Sequence, residues 1–427
     1  MGTPVRLLLV ALVATVLGGT FEACAAAADA ADGEDAAGSA ASRAAIALAA
    51  LQESWYNTST GSWGGGKVDP DRGTVDSGMI GWWNAANTME VIGLALQRLP
   101  AAGPDSVWAA GQREELLDQV IPSMYQLQNW TGCMDSRSYD DSGWVALAWI
   151  RAYEVTSEQR YLDRAMAFFA QVKREAWDDV CGGGLYWAGD KAGGGNRYKN
   201  AISNELFLVT AMRLHNHAPN ASAAAQYLDW AQREWTWFRT SGMIIQNGSY
   251  VAGGLRNCSC DHAEGFTYNQ GVILGGIGLL FEATSEDGES EQRAALIDAA
   301  EAIALGVVRS GSRWQDAETG VLLEPCEPHL EGCNADGTQF KGIFVRYLRY
   351  YLDSVCPAGG EDGCASPNAD EYRSFLQRNA DSVWSAARSE EGNHIGVHWS
   401  GPPPRTARAA NGAIAQTSGI DALLSVV

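Results

Sequence analysis

Twelve stretches with the 3.6-residue spacing of an amphipathic or buried helix run through this 427-residue chain, and the joints between them alternate in length. The stretches fall at 42–56, 84–98, 105–128, 142–156, 158–175, 200–215, 221–239, 269–284, 289–309, 337–353, 367–388 and 408–424. Some neighbours are joined by a few residues. Elsewhere long Gly-rich connections intervene, at 57–83, 176–199, 240–268, 310–336 and 389–407. Alternating strand patterns are scarce. Twelve helices with long loops recurring along the chain predict an all-α (α/α)6 barrel, a toroid of six helical hairpins. Six inner helices then surround a cleft and the long loops gather at one rim. An α-solenoid would show repeats more regular in length. Nothing between 42 and 427 reads as an interdomain linker, so one domain is expected there.

Hydrophobic residues make up 46% of the chain, ample for a large core. Lys and Arg total 30 against 51 Asp and Glu, a net charge of -21. That balance argues against nucleic acid and anionic membrane surfaces, which need basic patches, and suits a neutral or weakly charged partner such as a carbohydrate.

Residues 1–25 read as a secretory signal: Arg6 in the n-region, Leu7 to Val16 as the apolar run, and Ala23-Cys24-Ala25 at the cleavage site. The run is too short to span a bilayer. Residues 26–41, all small or acidic, read as a disordered leader. Of nine cysteines, setting Cys24 aside leaves eight, an even number for an oxidising compartment. Cys326/Cys333 and Cys356/Cys364 are close enough for local bridges, and the pairing of Cys133, Cys181, Cys258 and Cys260 stays open. A metal reading of Cys258-Ser259-Cys260 with His262 lacks four well-spaced soft ligands, so no metal is expected. Asn57, Asn129, Asn220, Asn247 and Asn257 head glycosylation sequons. Gly412 to Val427 includes Gln416, Thr417, Ser418 and Asp421, so no glycolipid-anchor tail is expected there.

Asp140 and Asp141 stand side by side where an apolar, Trp-bearing helix begins. Acid residues there commonly cap a helix or complement its dipole. Two neighbouring carboxyls also suit glycosidic cleavage, where one stays ionised against an oxocarbenium ion and the other holds a proton. Residues adjacent on a helix project about 100° apart, so both carboxyls can reach one bond. Aromatic and amide clusters recur at other helix starts. Trp82-Trp83-Asn84 offers indole faces for a pyranose and an amide for its hydroxyls, though the same residues serve as core and N-cap. Trp177-Asp178-Asp179 through Gly182-Gly183-Gly184 to Trp187 leads to Tyr198-Lys199-Asn200, and Asp178-Asp179 is a rival acid pair without an apolar helix behind it. Tyr268-Asn269-Gln270 points polar groups at the rim, and Lys341 follows Phe340, able to lower a neighbouring carboxylate's pKa or bond a hydroxyl. No phosphate-binding loop or dinucleotide fingerprint appears: Gly64-Gly65-Gly66 lacks the strand and helix such sites need.

Trp82-Trp83-Asn84, Tyr139-Asp140-Asp141 with Trp144, Tyr198-Lys199-Asn200, Asn204-Glu205-Leu206, Tyr268-Asn269-Gln270-Gly271 and Phe340-Lys341-Gly342 together resemble glycoside hydrolase family 76, over about residues 45–425. This α-1,6-mannanase family includes fungal wall transglycosylases. The resemblance implies an (α/α)6 fold, no cofactor, a retaining mechanism and an α-1,6-mannan or mannoprotein-glycan substrate, with Asp140 as nucleophile and Asp141 as general acid/base. Trp82, Trp83, Asn84, Tyr139, Trp144, Tyr198, Lys199, Asn200, Tyr268, Asn269, Gln270 and Lys341 are its candidate sugar contacts. Many members carry Asp before the glycine ahead of the Tyr-Asn-Gln motif. Here Asn247-Gly248 stands there, which leaves a third acidic contact unassigned. A secreted, monomeric, degradative endo-mannosidase, associated with a cell wall, is the expectation. A wall transglycosylase, a mannan-binding protein without turnover and a toroidal uronyl hydrolase are the alternatives.

Overall fold

The computed structural model describes residues 38–427 except 65–67, 70–73, 76–77, 102–106, 128–137, 190–196, 261–264, 285–289, 329–332, 358–362 and 405–411. The expected signal, most of the leader, Asn129, Cys133 and His262 lie outside the described residues. Twelve helices are present among the described residues. They are α1 (Ala40–Trp55), α2 (Trp82–Arg98), α3 (Gln112–Glu115, running through a π turn at Leu116–Val120 into Ile121–Gln126), α4 (Tyr139–Thr156), α5 (Gln159–Ala176) and α6 (Ala201–Asn216). The second half holds α7 (Ala221–Thr240), α8 (Thr267–Ala283), α9 (Ser290–Val308), α10 (Ala335–Val355), α11 (Ala369–Ser382, continued by a π turn at Val383–Ala387) and α12 (Gly412–Leu424).

The even-numbered helices form the inner ring. Each packs on the next, and α12 returns to α2, closing an (α/α)6 barrel. Their sequences explain their place. On α6 every residue from Ala201 to Leu214 is buried, as a helix surrounded by neighbours requires. On α8 glycines allow close approach: a Cβ at Gly275 would sit 2.4 Å from the Tyr347 ring, and one at Gly271 2.7 Å from the Phe344 backbone. The outer α5 instead buries one stripe, Tyr161, Leu162, Ala165, Phe168, Phe169, Val172 and Ala176, and its Tyr161 ring stacks on Trp149 of α4 with centroids 5.5 Å apart.

A repeat that residue identities conceal joins the hairpins. After five outer helices the chain doubles back and pairs with itself, at Tyr56↔Trp63, Trp177↔Leu185, Ile244↔Val251, Gln315↔Leu322 and Arg388↔Ile395. Helix-borne amides grip four of the returning strands. Asn204 accepts from Leu185 N (2.7 Å) and donates to Leu185 O (3.1 Å). Gln270 does the same with Val251 (2.7 and 2.8 Å). Asn379 accepts from Leu322 N and Gln416 from Ile395 N, both at 2.8 Å. An amide side chain carries the donor and acceptor that a lone peptide group leaves open.

At the end of the ring away from the helix starts, Glu90 of α2 accepts from Arg151 of α4 and Arg213 of α6, each at 2.9 Å, and Arg346 of α10 pairs with Asp421 of α12. Disulfides join Cys326 to Cys333 and Cys356 to Cys364, as their spacing predicts. A third joins Cys181 to Cys258, which removes Cys258 from any ligand set. Cys260 is bonded to none of the described residues. No helix among the described residues is long and apolar enough to cross a membrane.

Candidate active site

The inner helices begin at one mouth of the barrel, so their first turns supply its lining. The first turn of α4 carries Asp140 and Asp141, both half-buried. Four donors surround the Asp140 carboxylate. Ser138 Oγ and the Asp141 amide donate to Oδ1 at 2.7 and 3.0 Å, and the Trp187 indole N–H donates to Oδ2 at 3.0 Å. The Asn200 amide approaches Oδ2 to 3.5 Å while its oxygen caps α6 at Ser203 N. Burial raises the Asp140 pKa, and the donors from Ser138, Asp141 and Trp187 oppose that rise by favouring the anion.

The neighbour differs. The Asp141 carboxyl receives no hydrogen bond from the described residues. Burial first, then the charges of Asp140 and Asp336, push it up to about 7. Two adjacent carboxyls thus differ in their surroundings: burial raises both, but donors to the anion oppose the rise at Asp140 alone.

Aromatic rings frame the pair. Trp83 reaches from α2 to Trp144 of α4 and Phe340 of α10, with centroids 6.1 and 6.0 Å away, and donates its N–H to Asp336 at 2.9 Å. Phe340 stacks on Tyr268 of α8 at 3.9 Å, and Trp187 meets Tyr198 edge-on at 6.4 Å. Trp187 is 37% exposed, an unusual state for a tryptophan and one that leaves a face free to meet a ligand. Burial and nearby anions, Asp140 among them, raise the Tyr268 phenol well above its ordinary value, so it stays a neutral donor.

Several candidate contacts lie elsewhere. Lys199 is fully buried, and its ammonium donates to Asp178 (2.7 Å) and to the carbonyls of Val180 (2.7 Å), Gly183 (2.6 Å) and Gly184 (2.9 Å). It pins the Gly-rich loop, and Asp178, the rival acid, is its counter-ion. Lys341 is likewise buried, paired with Glu327 at 2.6 Å and donating to Val397 O at 2.9 Å. Against the burial that would raise it, this cation and His398 hold the Glu327 carboxyl below its ordinary range. Gln270 grips Val251 rather than facing the rim, and Asn269 accepts from Phe266 N at 3.1 Å. Asn84 donates to Gln339 at 2.8 Å, tying α2 to α10. Trp144 is buried beneath Trp83, Tyr139 is buried with its hydroxyl on Gly189 O at 2.8 Å, and Trp82 packs partly into the core. Trp187 and Phe340, which stand in the motifs, and Ser138 and Asp336 are the residues here that were not among the expected sugar contacts. Trp187 had a signal in its Gly-rich aromatic cluster, whereas Asp336 reads as an ordinary first-turn acid.

The sequon residues Asn57, Asn220, Asn247 and Asn257 are exposed. Asn220 doubles as the cap of α7, accepting from Ala223 N at 2.9 Å.

A closed ring of six helical hairpins with a carboxyl pair and aromatic walls at its mouth defines the helical-toroid class of glycosidases. Residues 39–426 match Glycosyl hydrolase family 76, and the chain belongs to that family. Mannan endo-1,6-alpha-mannosidase DCW1 of Candida albicans is 31% identical over 193 residues, 44% of this chain and 40% of that protein. The chain spans between 35% and 58% of the length of the curated relatives it matches. Among solved structures, an inactive variant of the α-1,6-mannanase GH76A of Salegentibacter sp. HEL1_6, in complex with α-1,6-mannotriose, superposes with a TM-score of 0.70 at 22% identity. That match covers 91% of this chain and 99% of that one. Dfg5 from Chaetomium thermophilum, in complex with glucosamine, gives 0.67 at 20% identity, covering 91% and 90%.

Proposed function

We propose that this protein is a secreted, retaining endo-mannosidase acting on α-1,6-linked mannan, with Asp140 as nucleophile and Asp141 as general acid/base. The observation that carries this reading is the unequal hydrogen bonding of the two carboxyls. Asp140, at a helix N-terminus, receives side-chain and backbone donors that favour its anion against the burial that raises its pKa. Asp141 lacks donors and sits near an apparent neutral-pH midpoint, suited to giving and taking a proton.

In the first step Asp140 attacks the anomeric carbon, the bond to the leaving oxygen breaks, and Asp141 transfers its proton to that oxygen. In the second, Asp141 takes a proton from water as the water displaces Asp140, restoring the α configuration. Trp83, Trp187 and Tyr198 present faces and edges to the sugar rings. The names of the relatives support the substrate, and the inactive Salegentibacter enzyme carries Asn in place of two consecutive Asp residues. The signal-like residues 1–25 and the three disulfides support secretion.

The test is hydrolysis of a linear α-1,6-mannan oligosaccharide. Asp140→Asn and Asp141→Asn should each lose several orders of magnitude in kcat while the chain stays folded. Proton NMR of the first product should show the α anomer. Near-normal turnover by either variant, or an initial β anomer, would overturn the assignment.

A further inference from the structure

Asp141 and Asp336 stand in the first turns of opposite inner helices. The inner helices follow the order α2, α4, α6, α8, α10, α12, so α10 stands opposite α4, and Asp336 lies in the first turn of α10 just as Asp141 lies in the first turn of α4. Trp83 bridges the two walls. Its ring packs on Trp144, one helical turn beyond Asp141, and on Phe340, one turn beyond Asp336, while its N–H holds the Asp336 carboxylate at 2.9 Å. The side chain of Asp336 is exposed to the mouth and no cation among the described residues pairs with it.

We propose that Asp336 is a positioning residue for the reaction, a fixed negative charge on the wall opposite the aspartate pair that keeps the proton on Asp141 until the leaving oxygen takes it. This rests on the glycosidase reading above. An anion placed across a partly dehydrated gap favours the neutral form of an acid, and Asp336 acts on Asp141 together with burial and Asp140. Among the described residues no cation pairs with Asp140, Asp141 or Asp336, and the Arg256 guanidinium lies over the Tyr198 ring, 4.5 Å from its centroid. Into this corner come Trp83 from α2, Asn200 and the buried Glu205, driven towards its neutral form by burial, from α6, and the neutral phenol of Tyr268 from α8. The same charge would disfavour an anionic sugar between the walls, so an uncharged glycan is the fitting substrate class.

The experiment uses Asp336→Asn, which keeps an oxygen to accept from Trp83 and removes only the charge, with Asp336→Ala as a second variant. The pH dependence of kcat/KM is measured on α-1,6-mannotetraose, and the carboxyl titrations of the full chain are followed by 13C NMR without substrate. We expect Asp336→Asn to move the alkaline limb, and the Asp141 titration, to lower pH by about half a unit, with the shift shrinking in high salt as screening demands. Maximal kcat should stay within about threefold of wild type, since the barrier cost of a half-unit shift is below 1 kcal/mol. A raised KM with an unmoved limb and an unmoved titration would make Asp336 a sugar contact and overturn the proposal. The titration reports even if mannan is not the substrate, so failure of the functional reading and failure of this one are distinguishable.

Discussion

The indole N–H of Trp187 donates to Asp140 Oδ2 at 3.0 Å, joining a residue of the Gly-rich loop to the first turn of α4. The main chain reinforces the contact, because Tyr139 N donates to Trp187 O at 2.8 Å. The loop is therefore part of the carboxylate's hydrogen-bonding shell.

Trp187→Phe removes that donor and keeps an aromatic face. A hydrogen bond to a charged group contributes about 1.5–3 kcal/mol, so kcat should fall about ten- to hundredfold. Losing a donor to the anion also raises the Asp140 pKa. Because a nucleophile works as the anion, the acid limb of the rate profile should move to higher pH. An acid limb that stays put would show that the indole only stacks.

Asp141 also leaves a mark on stability. Its folded-state pKa, about 7, lies above the ordinary unfolded value of about 3.9. Between those values the folded chain binds more protons than the unfolded one, so this group's contribution falls as pH rises through the window. Asp141→Asn should match wild type in thermal midpoint at pH 4 and exceed it at pH 8. A wild-type advantage at pH 8 would mean Asp141 is stabilised as an anion.

Lys199→Met removes the cation under the Gly-rich loop. Its ammonium serves four oxygens, and breaking a buried pair costs about 3–5 kcal/mol. Asp178 keeps access to water, which favours the lower end. Thermal unfolding should begin several degrees earlier, and kcat should fall because Trp187 rides on the loop. Substrate affinity lost without any change in melting would instead restore Lys199 as a sugar contact.

Gly184 has φ +86°, and a Cβ there would lie 2.2 Å from the Trp237 ring. Gly184→Ala therefore meets both backbone strain, about 1–2 kcal/mol, and a ring that must shift. The variant should melt lower than Gly182→Ala, whose Cβ would meet nothing within 4 Å although its φ is +79°. Equal melting of the two would point to backbone strain alone.

Glu90→Gln at the far end of the barrel removes one of the two carboxylates that Arg151 and Arg213 share, leaving Glu154 at 2.7 and 3.0 Å; the Glu90 carboxyl lies below its ordinary pKa range because those arginines overcome its burial. A loss at the lower end of about 3–5 kcal/mol in unfolding free energy is expected, because Glu154 still pairs with both arginines. Both limbs of the rate profile should stay where they are, separating this structural ion cluster from the carboxyls at the mouth.

The helices were legible because their signal is local. Spacing of three and four residues marked α4, α5 and α7 to within about three residues at each end, and Asp140-Asp141 stood out because both the helix start and the pair are visible in a short window. The lysines were not. Lys199 and Lys341 each follow an aromatic residue in a motif that reads as a polar rim, yet both are buried beneath loops that begin more than ten residues away. Gln270 misled for the same reason, since its partner Val251 belongs to a strand that no periodicity announces.

By itself the sequence determined the hairpin count, the alternation of inner and outer helices, and the two acids at one helix entrance, because each depends on contacts within a few residues along the chain. Only the tertiary structure decided which indole grips Asp140, which distant carboxylate shares the barrel mouth with Asp141, and which lysines serve the loops. The relations at the aspartate pair join residues 47 or more positions apart and those of the lysines join residues 14 or more apart, so packing of the ring and its loops, not local propensity, sets their distance.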